Sequence, residues 1–269
     1  MSLPPGAFSR SEVETFLSYD ATRIESALWD LYARGSLATF LDRLEDIYLT
    51  TVRASHLPFW LGVSRFLKRP DDLWPTAYSP IRDFTRAFAE LFEQVSAAQP
   101  GFRVEAKNIL KELLSDGDVQ LASYILIEQA FHHGLFGLNK SDRGVEIATV
   151  EEVQILASDL SASLRDRHLD SDWAVNLRDP QPIVLMVHIG AWDQACKDKL
   201  ESLLQEDKAL DSFVLMLFGG QYIVGRDFID RMVPISTFLD RINARVGSES
   251  LQEAHPSVHV ALKKALNRS

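Results

Sequence analysis

Hydrophobic residues recur with a period near 3.6 along almost the whole chain, which predicts helices in preference to strands. After Ser9, the positions Val13, Phe16 and Leu17 predict a short helix. Asp20 then caps a second one carrying Ile24, Ala27, Leu28 and Leu31, stopped at Gly35, where glycine takes the left-handed turn at little cost. Ser36 is placed to cap a third helix with Leu37, Phe40, Leu41, Leu44, Ile47 and Tyr48 on one stripe. A fourth bears Phe59, Trp60, Val63 and Phe66 and ends near Lys68-Arg69-Pro70, because proline cannot extend a formed ladder.

Residues Asp71 to Tyr78 read as a loop, and Ser79-Pro80 as a helix opening in which the missing proline N–H costs nothing. Ile81, Phe84, Phe88, Leu91 and Phe92 then line one face, opposite Arg82, Asp83, Arg86, Glu90 and Glu93. Two further helices, Phe102 to Leu114 and Val119 to His133, are separated by Asp116-Gly117-Asp118, with Asp118 as cap and a spacing that implies an antiparallel pair. A polar connector, Asn139 to Ala148, follows. Thr149 and Glu152 form a capping box ahead of Val150, Val153, Leu156, Leu160 and Leu164.

The remainder reads as helices near Pro182 to Ile189, Ala191 to Leu204, Leu210 to Phe218, Ser236 to Val246 and Pro256 to Asn267, with Ile183 to Val187 the one candidate strand. The prediction is therefore an all-α fold: an irregular array of antiparallel helix pairs, stacked like HEAT or TPR units but without a regular repeat. A boundary in Arg69 to Tyr78 would divide it into an N-terminal bundle, residues 8–69, and a C-terminal array, residues 79–269, unless the two form one continuous domain.

Composition narrows the function classes. With 269 residues, 46% of them hydrophobic, the chain is long enough to bury a core without staples. The single cysteine, Cys196, cannot pair within the chain, which favours a reducing, cytoplasmic setting. Met1 to Phe8 has no basic and apolar leader pattern, and the apolar runs fall short of the roughly 20 residues that span a bilayer. A net charge of −10 and a pI near 5.2 give no general phosphate-binding surface, so nucleic acid is not indicated as a partner.

Several local patterns approach known chemistry without completing it. Gly134-Leu135-Phe136-Gly137-Leu138-Asn139-Lys140-Ser141 differs from a phosphate-binding loop by asparagine in place of the last glycine, and it follows a helix tail where a P-loop would follow a strand. His255 and His259 stand four apart, a spacing that can grip metal on a helix, but no third ligand accompanies them. His132 and His133 are adjacent and diverge by about 100° around a helix, which suits polar contacts at its C-terminus. Cys196 shares an apolar face with Trp192 and Leu200 and reads as a buried, inert thiol. Glu45-Asp46 and Glu151-Glu152 read as solvated faces and caps. No catalytic, cofactor-binding or metal-binding residue is assigned. The exposed connector, with Lys140, Asp142 and Arg143, is the first place to look for a partner surface.

The order of segments carries a resemblance. Phe8-Ser9-Arg10-Ser11-Glu12-Val13-Glu14-Thr15-Phe16-Leu17, then Gly35-Ser36-Leu37-Ala38-Thr39-Phe40-Leu41-Asp42-Arg43-Leu44-Glu45-Asp46, resembles the region after the ATPase core of KAP-family P-loop NTPases. The likeness runs on through Ile109-Leu110-Lys111-Glu112-Leu113-Leu114, Ser123 to Gly137, Thr149-Val150-Glu151-Glu152-Val153, Asp179 to Trp192, Glu206 to Phe218 and Tyr222 to Leu239. It implies a non-catalytic C-terminal helical region, read as a fragment whose opening Met1-Ser2-Leu3 is an expression start. By this resemblance the Walker motifs, ATP and Mg belong to an absent N-terminal ATPase domain, which becomes the first expected partner beside an unknown protein, with homo-oligomerisation coupled to nucleotide state. Some bacterial members of the family act in phage defence. The rival expectation is a stand-alone helical scaffold that binds a protein or peptide. A third is a metal-dependent hydrolase built on His255 and His259.

Overall fold

The computed structural model describes residues 8–51, 53, 55–68, 80–116, 120–135, 145–169, 181–210, 213, 226–234, 240, 241 and 244. Among these the fold is all-α, with no strand. The chain divides into two compact units, Met1–Leu156 and Ala157–Ser269. The division falls within a helix, and the helices before and after Arg69 to Tyr78 share one core. Asp71 to Tyr78, Asp118, Ser236 to Val246 and Pro256 to Asn267 lie outside the described residues or almost wholly so, as does most of Leu210 to Phe218.

The first unit contains α1 (Arg10–Leu17), α2 (Ala21–Ala33), α3 (Leu37–Tyr48), α4 (Leu57–Leu67), α5 (Pro80–Ala98), α6 (Pro100–Ser115), α7 (Gln120–His132) and the start of α8 (Val150–Ser163). Side-chain caps start α1, α2 and α8. Ser9 and Glu12 form a capping box, and Asp20 accepts from the Arg23 amide. Thr149 and Glu152 reciprocate at 3.3 and 3.0 Å, closing the predicted box. Ser36 is a correction: it stands at the α3 N-cap with φ −104° and ψ −1°, a helical conformation that leaves no side-chain cap bond.

Aromatic rings hold the first unit together. Trp60 of α4 meets Phe92 of α5 at 4.8 Å between centroids, Phe92 meets Phe102 of α6 at 5.0 Å, and Tyr48 of α3 meets Phe59 at 5.0 Å. The first two are edge-to-face and the third is tilted; edge-to-face pairs contribute about 0.5–1.5 kcal/mol each beyond area burial. The three together tie α3, α4, α5 and α6 into one core. α2 packs most extensively on α4. The contact is close because Gly62 has no Cβ: one built there would stand 2.6 Å from Ile24 Cβ and 2.8 Å from the Ala21 carbonyl.

The second unit takes the rest of α8, which passes into a π-helical turn at Leu164–His168. It then contains α9 (Gln181–His188), α10 (Gln194–Leu203) and α11 (Arg226–Met232). Ile183 to Val187, the one candidate strand, is helical. The second helix of this unit starts three residues after Ala191, where Asp193 accepts from the Cys196 amide at 2.8 Å. Helix α11 was not predicted from periodicity. It is seven residues long, too short for a period to register, and its Phe228, Ile229 and Met232 are buried.

Candidate functional site

The polar connector after α7 is anchored at both ends. α7 closes with Gly134 at φ +69°, a conformation glycine adopts without a Cβ clash, and with the Leu135 amide donating to the Ala130 carbonyl at 2.9 Å. The returning chain is caught by Gln129, a glutamine with no exposed surface. Its carbonyl oxygen accepts from the Ile147 and Ala148 amides at 2.8 and 3.3 Å, while its amide donates to the Val145 carbonyl at 2.9 Å. The side chain thus substitutes for a neighbouring strand. His133 Nε2 adds a bond to the Ala148 carbonyl at 2.7 Å.

These contacts deliver the chain to the Thr149–Glu152 box. Glu152 also receives Lys107 Nζ of α6 at 2.5 Å, and that bond, with the Thr149 amide, holds its carboxyl below the ordinary range. Lys140, Asp142 and Arg143 lie between the two anchors and outside the described residues. His132 and His133 are both half-buried, with rings 5.3 Å apart at 79°. His133 makes the polar contact expected at a helix end, and His132 approaches Glu146 at 4.0 Å.

A second polar cluster lies where α3 joins α4. His56 is 2% exposed, and its Nδ1 stands 2.6 Å from the Tyr48 hydroxyl. The His56 backbone N–H donates to Glu105 of α6 at 3.2 Å. Gln99 donates to the Tyr48 carbonyl at 2.5 Å and the Thr51 carbonyl at 3.1 Å. Burial pushes the His56 ring below its ordinary value, opposed by Glu105 and assisted by half-buried Arg53; burial likewise raises the Tyr48 phenol. Beside this cluster is a cleft of about 340 Å³, walled by Ser55 and Leu57 on one side and by Glu105, Asn108, Ile109 and Glu112 of α6 on the other. Periodicity could not single out His56, since its partners lie on other helices.

An open groove of about 390 Å³ crosses α1, α2 and α3, floored by Phe16, Leu31 and Phe40 and edged by Glu12, Asp30 and Arg34. In the second unit Cys196 is fully buried, its Sγ 3.8 Å from the Ser161 carbonyl. Burial and the adjoining Asp193 push its thiol up to about 12, so it is un-ionised and inert at neutral pH. Glu45, Asp46 and Glu151 are exposed, as solvated faces and a helix start require. His255 and His259 lie outside the described residues, and among the described residues no group of three or more His, Cys, Asp and Glu side chains is placed to hold a metal. None of the described helices is long and apolar enough to cross a membrane. No family model, curated protein or solved structure matches the chain.

Proposed function

We propose that this chain is a helical module that binds a protein partner and regulates it, and that its parent is a KAP-type P-loop NTPase. The observation that carries the first half is the double anchoring of the connector to α7. A loop whose ends are fixed by Gln129, Gly134 and His133 presents its charged residues from a rigid scaffold, which is how binding loops generally work. Lys140, Asp142 and Arg143 are then the partner-facing residues. The second half is supported by the ordered resemblance of segments from Phe8 to Leu239. On that reading the module senses a partner, or packs against the ATPase domain of its own parent and couples nucleotide state to oligomerisation. It works in the bacterial cytoplasm, in phage defence, with ATP and Mg held by the ATPase domain alone.

The second reading, a stand-alone scaffold for a protein or peptide, is favoured by the open groove across α1, α2 and α3. The two separate on the native reading frame upstream of Leu3. A P-loop and an acidic strand end in frame support the NTPase module; a stop codon close upstream sinks it in favour of the scaffold. Partner binding has its own test. With the parent ATPase domain as bait, Lys140→Glu with Arg143→Glu should abolish capture of this chain, and unchanged capture would remove these residues from the interface. Measurable ATP turnover by the purified chain would overturn its non-catalytic assignment.

A further inference from the structure

The joint between α3 and α4 is fastened by a small set of polar contacts, one of them to a buried imidazole and the others to the backbone beside it. Leu49 to His56 carries the chain across. Tyr48 of α3 meets the ring at Nδ1, and Glu105 of α6 holds the backbone N–H of the same residue. Gln99 fastens the carbonyls at the start of the joint. The His56 ring also stands edge-on to Phe102, at 4.8 Å between centroids and 77°. Among the described residues no hydrogen-bond acceptor receives its Nε2.

A neutral ring fits this site. With the proton on Nε2, Nδ1 accepts from the Tyr48 hydroxyl. A second proton would convert Nδ1 to a donor, so the Tyr48 hydrogen would lose its acceptor, and it would place a charge in a residue only 2% exposed. The titratable groups that face the ring are Tyr48 on α3, Arg53 in the joint and Glu105 on α6. Glu105 favours the charge; Arg53 and burial oppose it, and burial is the larger effect.

We infer that the α3–α4 joint is a proton-operated latch on the adjoining cleft, closed while His56 is neutral and opened when the ring takes a second proton. Ser55 and Leu57 form one wall of that cleft and belong to the joint, whereas Glu105, Asn108, Ile109 and Glu112 belong to α6. Opening the joint frees Glu105 from the His56 amide and separates the two walls, so proton uptake changes what the cleft can hold. The sign follows from linkage. A histidine whose folded value lies below its ordinary 6.5 favours the open form on acidification, so the closed form loses stability as pH falls through 6.5 towards the folded value.

Amide hydrogen exchange on the full chain reads this directly. From about pH 7.5 to about pH 5.5 the opening constants at His56, Phe59 and Trp60 should rise about tenfold, the limit for one proton with an open-state pKa near 6.5. Amides inside α7, such as Leu126, should not change. His56→Asn offers an acceptor oxygen to the Tyr48 hydroxyl in place of Nδ1 but does not titrate, so its opening should be independent of pH over this range. In the wild type, the His56 ring resonance should titrate below 6.5. Opening that is insensitive to pH, an equal rise across the whole first unit, or a ring titrating at or above 6.5 would each overturn the latch.

Discussion

Replacing Gln129 with leucine keeps most of its volume and its helix propensity but removes both ends of the amide. Two backbone donors, at Ile147 and Ala148, and one acceptor, at Val145, then lose their partner. A hydrogen bond contributes about 1 kcal/mol net, whereas a buried group left unpaired costs about 1–3 kcal/mol. Ala148 is 2% exposed, so its amide has little access to water, while Val145 and Ile147 are half-buried and partly recover by solvation. One full penalty and two partial ones sum to about 2–4 kcal/mol. Leucine in the same space returns little of this, because Gln129 already packed its methylenes. Urea unfolding of the first unit should show the loss as a lower midpoint, and exchange at Ile147 and Ala148 should accelerate more than at α5 or α6. A loss below about 0.5 kcal/mol, with Ile147 and Ala148 still protected, would show that the connector is held by something other than Gln129 and would remove the anchoring argument.

Gly62→Ala should destabilise the first unit by about 1–2 kcal/mol in urea melts, because the clash with Ile24 and the Ala21 carbonyl exceeds the roughly 1 kcal/mol gained in helix propensity; a stabilised variant would contradict the close approach of α2 and α4. Burial, then Glu128 and Glu90, raise the Glu93 carboxyl above its ordinary 4.5, so its charge opposes folding at neutral pH. Glu93→Gln should therefore be more stable than the wild type at pH 7, with the gap closing as pH falls through the raised value towards 4.5; equal urea midpoints at pH 7 would refute the strain. Cys196, with its thiol near 12, should react with an aromatic disulfide at pH 8 at least about a thousandfold more slowly in the folded chain than in urea, and fast labelling of native protein would contradict its burial.

What could be read from the sequence was whatever depends on neighbours within a helical turn or two. Asp20 capping α2, Gly35 at φ +66° and the Thr149–Glu152 box all combine residues at most five apart, and each is present. The stripe from Phe88 to Phe92 is buried for the same reason. Ser36 failed because composition shows which residue can cap but not the backbone angle at which it sits. The start of α10 was misplaced because the apolar Ala191 and Trp192 were joined to the helix, although Asp193 three before Cys196 was the available cap signal. Gln129 and His56 carry no such signal because their partners stand on other elements: Val145, Ile147 and Ala148 sixteen to nineteen positions from Gln129, and Tyr48 and Glu105 eight and forty-nine from His56. No period links such residues.

Several long-range polar bonds share a target, and the target follows from helix geometry. Inside a helix every backbone carbonyl is taken by an amide four residues on, so a side chain arriving from another helix finds free backbone groups only at helix ends and connectors. Gln99 donates to the carbonyl of Tyr48, the last residue of α3. Lys68 donates to the carbonyl of Asp116, the C-cap of α6. Trp192 donates to that of Met232, the last residue of α11, at 2.8 Å, and Arg241 to those of Leu204 and Gln205 beyond α10 at 3.0 and 2.9 Å. Gln129 takes the connector before α8. Among the described helices, apolar stripes bring helices together but leave the path between them undetermined; these side chains select it. Substitutions that redirect the connectors, and with them any surface the connectors present, should therefore concentrate at Gln99, Gln129, Trp192 and Arg241 and not in the loops themselves.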